Sequence, residues 1–527
     1  MKAPGDWSPE AVVATVWRRI RPEWIVCFCS AMAFGFAAHA YKLVNWLPNW
    51  DSLVFRHGVQ NMTHLGRWFL AVACLPSSNY DLPWICGAFA LAYVSVAAVC
   101  VCRIFGIRKK LPAALVGALL TTFPTISSTL AYNYVADGYA LSFLLAVLAA
   151  WAFDARGVRA FLLGVLSLTL SLGIYQAYVS VAMTILLALQ VKGLVFDRER
   201  ARTSLRRAAR FLLGGVLASV AYLVALRLSL SLEHAELSAY LWADDGNVWL
   251  APGYLPRVLR ASARTLVSFF FNLRWGITPH AVVGALAFAS AAGLLLRAAA
   301  RAGVFRSLPR TALFFAYSAV APLCATPLLF LNPDTHYHNL MTMGYSTLAV
   351  FLVLFYERRT FDGPRFEAAK KWLVAGLGAL LVYDYVLIAN VGCHKLQLAF
   401  LSSYGEAVRM ADRIEQTPGA PGCRTLAVLG VKPDSAAWSS FANLDLTGVT
   451  DGSLLRPDDY TVNQSVVTAT LNDYCQKKFA FATVEERRRL AADPRVRRMP
   501  LWPEPGSIAV IDGFLVLRLG EGSGLYD

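Results

Sequence analysis

"WIVCFCSAMAFGFAAHAYKL" runs from Trp24 to Leu43, and "LPNWDSLVFRHGVQNMTHLGRWFL" follows from Leu47 to Leu70. The first segment has the length and apolarity of a membrane span. The second sets one Asp, two His and two Arg among four aromatics just outside it. Ala38-His39-Ala40 has the form of a cleavage site. A long polar leader precedes the apolar run, however, and the run continues toward Val44, so it reads as an anchored span.

Apolar runs recur along the chain. Ten more read as spans: Pro83–Cys102, Leu111–Phe123, Gly138–Phe153, Ala160–Leu172, Ile174–Val191, Phe211–Leu230, Ile277–Leu296, Thr311–Leu331, Leu340–Phe355 and Trp372–Val391. Several are short, and Leu172-Gly173-Ile174 reads as a very tight connection. Broken backbone in a membrane is tolerated where it lines a cavity. Composition agrees: 57% of the 527 residues are hydrophobic and 16% charged, against roughly 25% charged in soluble domains. The expected fold is a polytopic α-helical membrane protein of about 11 transmembrane helices, residues 1–392, with a small C-terminal α/β domain, residues 393–527.

The net charge of +15 does not point to nucleic acid. From Cys393 onward 15 Lys/Arg face 16 Asp/Glu, so the excess lies in short loops of the membrane part. There it serves topology and lipid headgroup contact. Basic residues gather in alternate loops: Arg18, Arg19 and Arg21; Arg103 to Lys110; Arg156 and Arg159; Lys192 to Arg210; Arg297 to Arg310; Arg358 to Lys371. The loops 123–137 and 332–339 have none. This bias puts the N-terminus in the cytoplasm, and an odd number of spans puts the C-terminal domain outside. That domain is expected to hold a helix over Leu396–Gln416, a strand over Thr425–Val431, a charged helix over Glu485–Asp493 and a hairpin over Ser507–Leu519 turning at Asp512-Gly513. Seven of the ten Cys lie in or beside spans and read as buried hydrophobes. An exported Cys423 and Cys475 could form a disulfide, which spacing alone does not decide.

On this topology the polar clusters share the outer face. Asp51 and Arg67 lie in the first outer loop, Tyr132, Asn133, Tyr134 and Asp137 in the second, and Tyr175 and Gln176 after the tight turn. Arg227 is near the outer end of its span. "NPDTHYHN" carries Asp334, His336, Tyr337 and His338 in the fifth. Ionisable groups at membrane depth are costly and usually functional. Tyr254–Trp275 reads as an amphipathic interfacial helix, with Arg257, Arg260 and Arg264 on one face and Val258, Leu266 and Phe270 on the other. Its arginines could meet headgroup phosphates or the phosphate of a lipid-linked substrate.

"NWDS…GRWFL" after span one, "YVADGYALSFLLAVLAAWAF" at span four and "SLGIYQAYVSVAM" at the tight turn resemble the bacterial glucosyltransferase family typified by the phage serotype-converting glucosyltransferase Gtr type II. The resemblance covers roughly Trp24 to Glu357. It implies a GT-C type enzyme of the bacterial inner membrane that takes a hexose, typically glucose, from undecaprenyl phosphate at the outer leaflet. The acceptor would be O-antigen, as in lipopolysaccharide, or another surface polysaccharide. A flippase and a polyprenyl-phosphate glucosyl synthase are the partners it implies. No resident cofactor follows from it beyond the lipid-linked donor.

Such chemistry needs a base for the acceptor hydroxyl and cations for the departing phosphate. Asp51 is the candidate base, or else caps a loop helix; Asp137 is a second candidate, or else the N-cap of span four. Arg67 either binds phosphate or pairs with Asp51, and Arg227 is a further cation for the carrier. Trp68 could stack on sugar or belong to an interfacial belt. His336 and His338 with Asp334 could bind a divalent cation, though contact with sugar or phosphate, or a plain surface position, suits them better. A transporter for a lipid-linked glycan would keep polar groups near mid-membrane and show repeats, and neither is evident. A polymerase or ligase would carry Arg-rich outer loops, and Asn332–Asn339 has no Arg.

Overall fold

A computed structural model describes residues 8–56, 58–238, 253–271, 279–335, 337–360, 362–430, 449 and 462–521. The membrane part is a helical bundle: α1 (Pro9–Trp17), α2 (Pro22–Val44), α3 (Trp50–Val54), α4 (Leu70–Ala73), α5 (Pro83–Phe105), α6 (Lys110–Thr122), α7 (Pro124–Ala131) and α8 (Ala136–Asp154). It continues with α9 (Val158–Ile174), α10 (Val179–Val195), α11 (Ala201–Glu233), α12 (Tyr254–Phe270), α13 (Pro279–Arg301), α14 (Leu308–Ala325), α15 (Ser346–Glu357) and α16 (Pro364–Glu415). Among the described residues ten helical stretches are long and apolar enough to cross a membrane, and the 17-residue α9 is a shorter apolar one. They correspond one to one with the eleven expected spans.

Several spans are broken at one end. Pro124 starts α7 after Phe123 leaves the helical region, and 3-10 turns at Asn133–Val135, Gln176–Tyr178 and Asn339–Tyr345 open the spans that follow. Side chains cross-link these breaks: Thr125 and Thr342 hydroxyls lie 2.8 Å apart, Thr129 and Tyr178 3.2 Å. Irregular backbone is thus buried in protein, as lipid requires. The tight turn falls at Tyr175, with extended backbone, while Gly173 is still inside α9.

The basic loops meet at the other end. The backbone N–H groups of Arg108 and Lys109 donate to Glu357 at 3.0 and 2.6 Å, and Arg358 pairs with Asp197 at 3.7 Å.

No linker separates the two parts of the chain. The 52-residue α16, about 78 Å at 1.5 Å per residue, rises through the bundle and ends under the C-terminal sheet. There Ala407, Met410, Ala411 and Ile414 join its core. That sheet has four strands in the order β2-β1-β4-β3: β1 (Thr425–Leu429), β2 (Ala480–Phe481), β3 (Ile508–Ile511) and β4 (Phe514–Arg518). β1 pairs in parallel with β2 and β4, and β3 and β4 form the expected antiparallel hairpin. Asp512 and Gly513 both take positive φ at its turn, the signature of a primed two-residue loop. Helix α17 (Val462–Tyr474) covers one face, and Val484–Ala492, capped by a Thr483–Glu486 box, covers the other. Cys423 and Cys475 are both free thiols.

Candidate active site

The opening stretch forms the floor of the contact between the bundle and the C-terminal domain. Lys42, buried at the end of α2, donates to Leu47 O at 2.5 Å and fixes the chain as it leaves the span. Asn49, not Asp51, caps the five-residue α3: its side-chain oxygen accepts from Ser52 N at 2.8 Å. Asp51 therefore sits inside the first turn, half-buried. Leu53 points the other way, into the core with Val466, Val467 and Leu471. Arg56 completes the joint. It lies 4.4 Å from the Trp46 ring centre and 6.0 Å from that of Tyr474, and pairs with Asp473 at 3.3 Å. The C-terminal domain is thereby held against the loop that carries Asp51.

Arg67 sits below. Its guanidinium donates to the Tyr139 hydroxyl at 2.7 Å and rests 5.1 Å from the Tyr175 ring centre. The Tyr139 and Tyr175 rings stack at 4.3 Å. Phe55, at the end of α3, stacks on Tyr134 with ring centres 5.9 Å apart, and Asp51 lies within electrostatic reach of Arg67, Tyr134 and Tyr139. Burial opposes the charge on Arg67, but these neighbours more than offset it and its proton is held more tightly than usual. Arg67 Nε is buried with no hydrogen-bond partner among the described residues. Tyr132 and His338 form the next wall, ring centres 6.4 Å apart. His338 Nδ1 accepts from Leu340 N at 3.0 Å, so the proton of the neutral ring is on Nε2.

Other sequence candidates act as supports for Arg67. Gly66 is left-handed with φ +78°, and a Cβ there would lie 2.5 Å from both Gln176 Nε2 and the Tyr222 hydroxyl. Gln176 donates to Leu65 O at 2.9 Å and Tyr222 to Gly66 O at 3.0 Å, clamping the turn before Arg67. Trp68 packs against Gly173, where a Cβ would lie 2.7 Å from the indole. Phe69 N donates to Gly173 O at 2.8 Å beside it. Asn61 and Thr63 both bond Glu233 at the end of α11 at 2.9 Å.

The remaining candidates lie elsewhere. Asp137 is not the cap of α8, which is Val135; it is wholly buried in the first turn, facing Ser77 and Cys74 but making no well-aligned hydrogen bond among the described residues. Its neighbour Ser77 gives its proton to Cys74 O instead. Arg227, Arg260 and Arg264 are exposed. Helix α12 departs from a simple surface helix. Ser262 bonds Thr326 at 2.9 Å in a buried contact, Phe269 packs on Phe123 and Tyr345, while Leu255 and Leu259 stay exposed. Asp334 pairs with Arg257, His336 lies outside the described residues, and no group of three metal-ligating side chains occurs among those described.

Two buried polar pairs escaped sequence reasoning. Asp81 accepts from Asn133, and Asp81 Oδ2 and Asn133 Oδ1 have no hydrogen-bond partner among the described residues. His280 Nδ1 lies 2.7 Å from Asp384 Oδ2 inside the bundle. The signal for the second was present: Asp384 interrupts the apolar run "LLVYDYVLI", and an ionisable residue in a span marks a site to inspect.

A half-exposed carboxylate and a held guanidinium lie within electrostatic reach of each other, beside phenol hydroxyls. Such a cluster can take a proton from one group while stabilising negative charge on another. No curated protein and no solved structure matches the chain. The sequence profile of Glucosyl transferase GtrII matches residues 40–356, from the end of α2 to the end of α15. The chain belongs to the GtrII glucosyl transferase family and is a membrane-embedded glycosyltransferase.

Proposed function

We propose that this enzyme moves glucose from a polyprenyl-phosphate carrier to a surface polysaccharide such as O-antigen, at the outer leaflet of the bacterial inner membrane. The observation that supports this reading is the docking of the C-terminal domain, through Leu53 and Arg56, on the loop that carries Asp51, within electrostatic reach of Arg67. The acceptor hydroxyl oxygen attacks the anomeric carbon, and Asp51 takes its proton. The bond from that carbon to the carrier phosphate breaks, and the electron pair leaves on the phosphate. Arg67 faces the charge that develops there. An apolar groove of about 360 Å³ between α10, α12, α13, α14 and α15, lined by Leu266, Phe270, Phe288 and Phe315, offers the carrier chain a path. The exposed Arg260 and Arg264 on α12 would steer anionic headgroups toward it.

The charge bias of the loops supports an outward C-terminal domain, which would bear on the acceptor glycan. A flippase and a cytoplasmic-side synthase would deliver the donor. Mass spectrometry of surface polysaccharide tests the reading, comparing wild type, a deletion and Asp51→Asn at equal expression. Loss of one hexose per repeat in the deletion is expected, with the same loss in Asp51→Asn. An unchanged polymer in the deletion overturns the transfer reading. Loss in the deletion alone removes Asp51 as the base.

A further inference from the structure

A cavity of about 890 Å³ opens at the end of the bundle opposite Asp51, where α5 passes to α6 and α15 to α16. Lys109, Arg358, Arg359 and Lys371 line it, and Leu111 and Trp372 form its apolar side. Three carboxylates also line it, and each is engaged elsewhere. Glu357 accepts from the Arg108 and Lys109 backbone. Asp362 is gripped by Arg297 and Arg301, both at 3.0 Å. The hydrogen bond from Arg297 holds Asp362 below the usual carboxylate range, so it stays ionised and paired. Glu367 accepts from Thr360 and from Lys370 at 2.6 Å.

The cations are not matched in the same way. Arg359 and Lys371 make no hydrogen bond or ion pair among the described residues. Arg358 spends its terminal nitrogens on Asp197 and Phe105 O, and its Nε is buried without a partner. The cavity therefore carries net positive charge, since Asp362 and Glu367 are paired with cations outside its lining and Glu357 alone faces Lys109, Arg359 and Lys371. Beside it, Trp372 is 81% exposed and Leu111 47% exposed. Trp372 stands where the apolar part of α16 begins, the position at which Trp marks a membrane–water boundary.

We propose that this cavity is a binding site for the phosphate headgroup of an anionic membrane lipid. The phosphate takes Arg359 and Lys371, and the acyl chains run past Trp372 and Leu111. Inorganic phosphate would satisfy the cations and leave the two exposed apolar side chains uncovered, which favours the lipid as the source. The site is independent of the sugar transfer proposed at the other end.

The test is native mass spectrometry of the full chain in neutral detergent, titrated with phosphatidylglycerol, phosphatidylcholine or inorganic phosphate. Wild type should retain phosphatidylglycerol over phosphatidylcholine. With about 1 kcal/mol per basic residue near the headgroup, Arg359→Gln with Lys371→Gln should weaken retention roughly tenfold to thirtyfold. The charge-keeping pair Arg359→Lys with Lys371→Arg should restore most of it. Arg488→Gln with Arg498→Gln, exposed in the C-terminal domain, should change nothing. Equal retention in the neutralised pair, or equal loss in the C-terminal control, overturns the site. Displacement of the lipid by inorganic phosphate at the same concentration overturns the lipid as its occupant.

Discussion

Replacing Arg56 with alanine should loosen the C-terminal domain from the Asp51 loop without unfolding it. The guanidinium stacks at 4.4 Å on Trp46 and reaches Tyr474 at 6.0 Å. A partly shielded stacked cation is worth about 1 kcal/mol. The Asp473 pair spans 3.3 Å with side chains 32% and 31% exposed, and solvent reduces such a pair to about 0.5 kcal/mol. The sum is about 1.5 kcal/mol. Leu53 among Val466, Val467 and Leu471 is untouched, so the domain stays docked on average. Hydrogen–deuterium exchange over Val462–Tyr474 reads the opening. It should speed up about tenfold in Arg56→Ala, at about 1.4 kcal/mol per tenfold, while the hairpin Ile508–Arg518 keeps its protection. Asp473→Asn alone should give only about a twofold change. Unchanged exchange in Arg56→Ala would refute the docking role; the full effect in Asp473→Asn would refute the stacking share.

Three further outcomes follow from the geometry. Gly173→Ala puts a methyl 2.7 Å from the Trp68 indole, so it should cost about 1–3 kcal/mol and lower transfer by shifting Arg67; Trp68→Leu in the same chain should recover part of the thermal stability in detergent. Arg67→Gln should slow transfer roughly 100-fold or more, whereas Arg227→Gln, exposed on α11, should stay within about 0.5 kcal/mol of wild type; equal losses measured with a lipid-linked donor would contradict the cluster. Cys423 and Cys475 should both alkylate without prior reduction, since both are free. Burial pushes both thiols up, so the thiolate fraction is small at neutral pH and labelling should accelerate as pH rises toward 9. A peptide pair linked by a disulfide in the unreduced digest would contradict this.

The spans were legible because lipid imposes a one-dimensional rule. Each must bury its backbone within itself and present about 20 apolar residues, and that count reads straight from Trp24–Leu43 or Pro83–Cys102. The hairpin was legible for a similar reason, since Asp512-Gly513 supplies the two positive φ values its turn requires. Capping was less so. Capping was the alternative to a catalytic role for both Asp51 and Asp137, and Asn49 and Val135 hold those positions instead.

Taken alone, the sequence determined that this is a chain of about eleven spans with a small C-terminal α/β domain, and the family motifs around Asp51 and Arg67. It did so because burial of apolar runs and turn chemistry are local. Only the tertiary structure decided which polar residues meet. It put Arg67 over Tyr139 of α8 and Tyr175 of the turn after α9 and turned Gln176 and Trp68 into supports for Arg67. It left Arg227 facing outward and seated the C-terminal domain on the Asp51 loop through Arg56. Those outcomes depend on helix rotation and on contacts between residues as far apart as Arg56 and Asp473, which no local pattern encodes.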